Sequence, residues 1–206
     1  MSTATAADIQ RTPMRELTIA EWHDLYGDYE GGHCELVRGQ AIVTPTESIQ
    51  NNRAIRRLML LLDAALPDAW EPLTNTSVVI RHDPRPTIRV PDLVVLRSDL
   101  AGSQWRVLPA GVTLVAEAVS PSSVERDRVT KRAEYAAAGI PNYLLIEVGQ
   151  DDGPHLWLFD TLLTDETSAT TTYAKPTGDG TTVTLHIPGA DPITVTAADL
   201  TDALWP

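Results

Sequence analysis

Apolar residues recur at helical spacing in several stretches of the chain. The first stretch begins at Thr18-Ile19-Ala20-Glu21, which has the spacing of a capping box, and the longest is stopped by Pro67. A third stretch follows another capping sequence, Ser122-Ser123-Val124-Glu125. The pattern predicts helices over about residues 18–27, 47–66 and 122–139, and a short closing helix over 197–204.

Shorter runs of apolar and β-branched residues predict strands. Two of these runs flank Arg38-Gly39 and predict a hairpin, because glycine readily adopts the positive φ of a tight turn. The run Val112–Val119 is nearly all apolar, which favours a central strand covered on both faces. The predicted strands cover residues 34–37, 40–43, 76–80, 88–96, 112–119 and 142–148, followed by a β-meander of 155–159, 170–174 and 181–187.

The order of these elements predicts an α/β or mixed α+β fold, with a mixed central β-sheet flanked by helices, an N-terminal hairpin and a C-terminal β-meander. The chain has 206 residues, 43% of them hydrophobic, so we expect a single domain over residues 14–206. Residues 1–13 lack the apolar stretch of a signal peptide and are predicted to be a flexible tail. Because no apolar run approaches the roughly 20 residues that span a bilayer, we expect a soluble, cytoplasmic protein with no membrane partner.

Charge and cysteine content narrow the classes of function. The single cysteine, Cys34, excludes both an intrachain disulfide and a zinc finger. The net charge of -12 argues against nucleic acid, but it is unevenly distributed. Residues 51–132 hold 12 Lys and Arg against 9 Asp and Glu, whereas the rest of the chain holds 4 against 19. The middle of the chain is therefore the part that best tolerates a phosphate group.

Two acidic residues in this middle segment could bind a metal ion. Asp92 follows Val90-Pro91 at the opening of a strand, and Glu117 lies inside the apolar run. Two carboxylates and a backbone carbonyl, here that of Ala118, suffice for Mg²⁺ when water and a phosphate complete the coordination. Each acid also has a structural alternative, which is a turn cap for Asp92 and a buried ion pair with an arginine for Glu117.

Three further polar residues are ambiguous when taken alone. Asp127 and Lys131 stand at i and i+4, the spacing of a salt bridge on a helix surface. Glu35 lies in the first strand of the predicted hairpin, where a glutamate commonly faces solvent. Their order along the chain, together with Asp92 and Glu117, is more informative than any of them separately.

Four sequence blocks stand in the order of a known family. They are residues 34–39 (CELVRG), 90–95 (VPDLVV), 117–123 (EAVSPSS) and 127–131 (DRVTK), the last followed by 135–143 (YAAAGIPNY). Through these blocks the chain resembles the bacterial Uma-two family of restriction endonuclease proteins, within the PD-(D/E)xK nuclease superfamily. The resemblance covers about residues 14–205.

The resemblance implies a restriction-endonuclease-like core, a DNA substrate and a Mg²⁺ or Mn²⁺ cofactor. It implies that Asp92 and Glu117 bind the metal and that Glu35 is an additional acid. Val119 stands where the superfamily usually has its catalytic lysine, and the resemblance suggests that Lys131 takes that role.

Other positions complete or depart from the family pattern. Asp127 and Tyr135 belong to the matching blocks and are secondary candidates. Residues 46–52 (TESIQNN) lack the histidine common in relatives, and Ile146-Glu147 replaces the usual pairing of a hydrophobic residue with aspartate. These departures put the substrate contacts of those regions in question.

The leading hypothesis is a Mg²⁺-dependent DNA endonuclease. The oligomeric state stays open, although a homodimer would be the simplest way to cut both strands with one site per chain. One alternative is a nuclease fold kept for binding or assembly without catalysis, and another is a metal-dependent hydrolase of RNA or another phosphoester.

Several arginines are candidate phosphate contacts, although a solvated surface position is the alternative for each. They are Arg53, Arg56, Arg57 and Arg89, with Arg81 and Arg85 as further candidates.

Overall fold

The structure, a computed structural model, describes residues 15–27, 33–44, 47–100, 105–120, 123–148 and 153–201. The tail predicted at residues 1–13 lies outside the described residues, as does the end of the predicted closing helix at 202–206. The single domain over residues 14–206 stays a prediction. Within the described part of the chain, no helix is long and apolar enough to cross a membrane.

The N-terminal elements form as their local sequence predicts. Helix α1 (Ile19–Tyr26) begins with the capping box, in which the Thr18 hydroxyl accepts from the Glu21 N–H at 3.2 Å. Strands β1 (His33–Val37) and β2 (Gln40–Thr44) pair as an antiparallel hairpin. Its two turn residues have positive φ, 51° at Arg38 and 80° at Gly39, as a tight hairpin turn requires.

The long helix α2 spans Ile49–Ala65 and confirms the predicted helix over 47–66. Ser48 caps its N-terminus by accepting from the Asn51 N–H at 3.1 Å. The buried face of α2 includes Ile55, Leu58 and Leu62, which pack against one face of the central sheet.

The central sheet has the strand order β10-β9-β8-β6-β3. Its members are β3 (Trp70–Leu73), β6 (Leu93–Arg97), β8 (Val112–Val119), β9 (Asn142–Val148) and β10 (Pro154–Phe159). β8 and β9 are parallel, while the other neighbours are antiparallel, so the sheet is mixed as predicted. Every residue of β8 is buried, which confirms the prediction of a central strand covered on both faces.

A second sheet of order β2-β1-β5-β4-β7 contains the hairpin together with β4 (Ser77–Arg81), β5 (Thr87–Arg89) and β7 (Arg106–Val107). The single strand predicted at residues 88–96 is therefore wrong, because it is split into β5 and β6 in different sheets. Pro91 lies at the split and has no N–H to continue a strand ladder. Asp92 consequently stands where the chain passes from the second sheet to the central one.

The helix predicted over residues 122–139 also needs correction, because it is not a regular α-helix. Residues Arg126–Lys131 form a π-helix, which continues as α3 (Arg132–Ala137), and Gly139 with φ 77° follows it. The Tyr143 hydroxyl donates to the Asp127 carbonyl at 2.9 Å, so this carbonyl has a partner outside the helix. The π-helix directs both Asp127 and Lys131 into the interior.

The strands predicted as a C-terminal β-meander exist, but they do not pair with one another. β10 joins the central sheet beside β9. β12 (Thr170–Tyr173) and β13 (Thr182–Leu185) each pair with a strand that the sequence pattern missed, β11 (Leu162–Asp165) and β14 (Ile193–Thr196) respectively. In place of the closing helix there is a short 3₁₀ turn at Ala198–Leu200 within the described residues.

Candidate active site

Asp92 is half-buried at the crossing between the two sheets. Its Oδ2 accepts a hydrogen bond from the Ala118 N–H at 2.7 Å, which ties it to β8. Burial raises the pKa of Asp92 to about 6, although this hydrogen bond and the charge of Lys131 act in the opposite direction. The carboxylates of Glu47 and Asp127 add to the increase. Asp92 therefore lies in a crowded acidic environment that favours the binding of a cation.

Glu117 projects from β8 and is buried. Its Oε1 accepts from the Tyr135 hydroxyl at 2.7 Å, and its Oε2 lies 2.8 Å from Lys131 Nζ. Burial raises the pKa of Glu117 to about 8 against the opposing effect of Lys131, and the charge of Asp92 contributes to the increase. The structural alternative of an ion pair with an arginine is wrong, because the cation beside Glu117 is Lys131.

Lys131 reaches this cluster from the π-helix. Besides its contact with Glu117, its Nζ lies 3.6 Å from Asp127 Oδ1 and 3.7 Å from Glu35 Oε1. Burial alone lowers the pKa of Lys131, but the three carboxylates outweigh it and raise the pKa above its ordinary value, so the ammonium stays charged. The alternative of a surface salt bridge with Asp127 is wrong, because Asp127 and Lys131 are only 2% and 4% exposed.

Position 119 does not provide the cation. Val119 lies on the same face of β8 as Glu117, because side chains alternate along a strand. It packs in an apolar cluster that includes Tyr135 and Tyr143. The ammonium group beside Glu117 thus comes from the helix rather than from the strand.

Glu35 and Arg89 form a buried ion pair beside the cluster. Glu35 Oε2 lies 2.6 Å from the Arg89 guanidinium, and its Oε1 accepts from the Val90 N–H at 3.2 Å. Burial raises the pKa of Glu35, but Lys131 and Arg89 outweigh it, so the pKa lies below its usual value. The alternative of a solvent-facing Glu35 is therefore wrong.

Arg89 is not a surface contact for nucleic acid, which corrects its prediction. It is 2% exposed, and its Nε donates to Glu134 Oε2 at 2.7 Å while the other end of the guanidinium holds Glu35. A group committed to two carboxylates in the interior cannot reach a phosphate backbone. The signal available in the sequence was the position of Arg89 inside a predicted strand, and in the structure all three residues of that strand, β5, are buried.

The other candidate arginines lie on the outside. Arg53 and Arg56 are exposed on α2, and Arg57 is half-buried, with its Nη1 donating to the Asp199 carbonyl at 3.5 Å. Arg81 and Arg85 are exposed near the second sheet. These positions allow contact with a phosphate backbone, which remains a prediction for each of them.

The structure brings the predicted acids and the lysine into one small pocket with a cavity volume of about 20 Å³. Its lining includes Glu35, Asp92, Glu117, Ala118, Asp127 and Lys131. This space corresponds to about one water molecule or one small ion. Tyr135 is held to the same cluster by its hydrogen bond to Glu117.

Sequence reasoning missed several residues of this pocket, among them His33, Glu47 and Arg126. It also missed Asn51, whose Nδ2 donates to the Ala118 carbonyl at 3.1 Å and to Glu47 Oε2 at 2.8 Å. The available signal was an asparagine within the apolar stripe of α2, where a buried amide needs hydrogen-bond partners.

The donors of the pocket fit a hard divalent cation. The carboxylates of Asp92, Glu117 and Asp127 supply oxygen ligands, which suit Mg²⁺ and Mn²⁺. Asp127 Oδ1 is buried without a hydrogen-bond partner, although Lys131 and Arg126 lie at 3.6 and 3.5 Å. Among the described residues, no three His, Cys, Asp or Glu side chains already surround a single point, and the Lys131 ammonium lies between the carboxylates.

Comparison with known proteins agrees with this architecture. A crystal structure from Anabaena variabilis ATCC 29413, described as "a putative nuclease belonging to DUF820", superposes with a TM-score of 0.54 at 14% sequence identity. The match covers 74% of this chain and 91% of that one, and it shows a shared fold. Comparison with curated proteins gives no match. Residues 19–188 match the family Uma2, described as "Putative restriction endonuclease", and the chain belongs to this family.

Proposed function

We propose that this protein is a DNA endonuclease that hydrolyses phosphodiester bonds with the help of Mg²⁺ or Mn²⁺. In this proposal Asp92, Glu117 and the backbone carbonyl of Ala118 hold the metal ion, and Glu35 and Lys131 complete the catalytic group. Membership of a nuclease family makes nucleic acid the expected substrate. Two copies related by a two-fold axis could cut both strands of a duplex.

The observation that best supports the proposal is a short contact in the acidic pocket. Lys131 Nζ lies 2.8 Å from Glu117 Oε2, and Asp92 lines the same pocket. Asp92 directly before β6, Glu117 in the neighbouring strand β8 and a charged lysine in one pocket are the groups expected of a PD-(D/E)xK site. Val119 leaves β8 without the lysine that is usual at this position, and Lys131 reaches the same face of β8 from the π-helix.

Each side chain has a distinct task in the proposed reaction. A divalent cation bound between Asp92 and Glu117 would lower the pKa of water and polarise the scissile phosphate. Lys131 remains charged and would orient the attacking water or offset charge on the phosphate. Tyr135 holds one oxygen of Glu117, which leaves the other oxygen directed towards Lys131.

Cleavage of supercoiled and linear DNA in Mg²⁺, Mn²⁺ or EDTA tests the proposal. We expect cleavage only with a divalent cation, and a loss of about 100-fold or more in both Asp92→Asn and Lys131→Met. Lys175→Met is the matched control, because Lys175 is the only other lysine in the sequence and is exposed. Circular dichroism and thermal unfolding establish that each variant is folded.

Full activity in folded Asp92→Asn would contradict the site, and cleavage in EDTA would contradict the role of the metal. The same reactions with RNA and with small phosphodiesters measure the substrate class. A rate on RNA equal to or above that on DNA would contradict the assignment of DNA as the substrate.

A further inference from the structure

A second cavity, of about 340 Å³, adjoins the acidic pocket. The two spaces share His33, Glu47 and Asp92 in their linings. A substrate phosphate beside Asp92 would therefore have the larger cavity next to it. The cavity lies within the usual range of small-molecule sites, about 300–1,000 Å³.

One part of the lining of this cavity is a face of α2, and another part is the turn between β3 and β4. Ile55 and Met59 form an apolar patch on the helical wall, and Thr74 and Asn75 lie in the turn. The amide of Asn52 is also on the helical wall, where its Nδ2 donates to the Glu47 carbonyl at 3.2 Å. An apolar patch with amide and hydroxyl groups around it suits a flat, uncharged group with polar edges.

The charges of the lining argue against a phosphate as the occupant. Glu47 and Asp92 carry carboxylates, whereas Arg56 is the one arginine of the lining. The whole chain carries a net charge of -12, so affinity for nucleic acid cannot rest mainly on contacts to phosphates. The negative charge of the protein does not repel a nucleotide base, because the base is uncharged.

We propose that this cavity receives the base of one unpaired nucleotide next to the scissile phosphate, so that the preferred substrate is DNA with an unpaired nucleotide at the cut. A base inside a duplex is stacked and paired, and it can enter a protein cavity only after it has left the stack. Ile55 and Met59 contact the face of the base, Asn52 and Thr74 face its edges, and the Arg56 and His33 side chains provide planes for stacking. This inference rests on the proposed function, because it places a DNA strand across the same acidic pocket.

Binding and cleavage are measured on two short duplexes of the same sequence, one fully matched and one with a single unpaired nucleotide. Binding is followed by fluorescence anisotropy in Ca²⁺, and cleavage is followed in Mg²⁺. We expect the wild-type protein to bind the second duplex about 10-fold more tightly, which is within the effect of one stacked base. We expect the same ratio, or a larger one, in kcat/KM.

Two variants that fill the cavity test the assignment. Met59→Trp and Thr74→Trp place a large ring in the space from two different elements, and each is expected to reduce the ratio between the two duplexes to about one. Leu60→Trp is the matched control, because Leu60 neighbours Met59 on α2 but is 51% exposed and lies outside the lining. Thr74 is exposed, so its substitution keeps the test valid if Met59→Trp does not fold.

The outcomes separate this inference from the proposed function. Equal binding of the two duplexes by the wild-type protein, or an unchanged ratio in folded Thr74→Trp, overturns the cavity assignment even where DNA is cleaved. If the wild-type protein binds the duplex with the unpaired nucleotide more tightly in Ca²⁺ and Thr74→Trp abolishes this difference, the cavity assignment is supported even where no DNA is cleaved. In that case only the proposed catalysis has failed.

Discussion

The two faces of strand β8 differ in what they contact. On one face Leu114, Ala116 and Ala118 lie in an apolar cluster with α2 and the β13–β14 hairpin. On the other face Glu117 lies among ionisable groups that include Lys131 and Asp127. The residues of both faces are buried, and a cavity of about 20 Å³ adjoins Glu117. One face is thus held by hydrophobic burial alone, whereas the other combines an apolar cluster, which includes Val115 and Val119, with a buried carboxyl group whose charge needs compensation.

This difference has an energetic meaning. On the apolar face every buried side chain adds stability, because its transfer from water is favourable. On the charged face the cost of burying carboxylates is only partly offset by Lys131, and the raised pKa values of Asp92 and Glu117 reflect the remainder. Natural proteins retain such groups where function requires them. We therefore expect substitutions on the two faces to affect different properties.

Removal of a buried cation should have the largest effect on the charged face. Arg89→Met leaves Glu35 and Glu134 without their guanidinium partner, so we expect a loss of about 3–5 kcal/mol in the free energy of unfolding. Urea denaturation measures this loss. Arg97→Met is the control, because the Arg97–Asp99 ion pair is exposed and should contribute little. Equal stability of the two variants would mean that the buried pair is not required for the fold.

A crossed pair of substitutions in β8 tests the comparison directly. Leu114→Ala should cost about 2–5 kcal/mol in stability, while the folded fraction keeps its rate of DNA cleavage. Glu117→Gln should lower the cleavage rate by about 100-fold or more with a smaller loss of stability, because glutamine keeps the shape, its amide oxygen can still accept from Lys131, and Asp127 and Glu35 remain beside the ammonium. Urea denaturation and cleavage assays measure the free energy of unfolding and the cleavage rate of each of the two variants. A large loss of activity in folded Leu114→Ala would contradict the separation of the two faces.

Several elements could be predicted from the sequence because their causes are local. The Arg38-Gly39 turn and the apolar stripe of α2 each depend on neighbouring residues, and both form as predicted. The order of the acids along the chain also led to the candidate site, because the family pattern relates residues far apart in sequence. Periodicity alone would have left Glu35 on the surface.

Other features depend on contacts between distant parts of the chain. The π-helix cannot be distinguished from an α-helix by apolar spacing, since the Tyr143 hydroxyl that binds its Asp127 carbonyl comes from another element. The burial of Arg89 depends on Glu134, which is 45 residues away. Strand β3 contains Pro72, which argues against a strand, but β3 lies at the edge of the sheet, where a missing N–H is tolerated.

The smallest effect that we expect is a change in stability with pH. It should come from Glu117 on the charged face of β8, because the apolar face has no titrating group. Burial raises the pKa of Glu117 from 4.5 to about 8, so between these values the folded state binds a proton that the unfolded state has lost. Stability from this group is complete below pH 4.5 and is lost as the pH rises towards 8. Without divalent cations we expect a decrease of about 2 kcal/mol between pH 6 and 8.

The decrease should be much smaller in Glu117→Gln, because glutamine does not titrate. Asp92, with a pKa of about 6, contributes mainly at the lower end of this range, and Lys131 stays charged throughout it. Urea denaturation at pH 6, 7 and 8 in EDTA measures both proteins under the same conditions. Parallel pH profiles for the two proteins would show that Glu117 is already ionised at pH 6. Lys131 would then compensate its charge fully, and the two faces of β8 would differ less in energy than the geometry indicates.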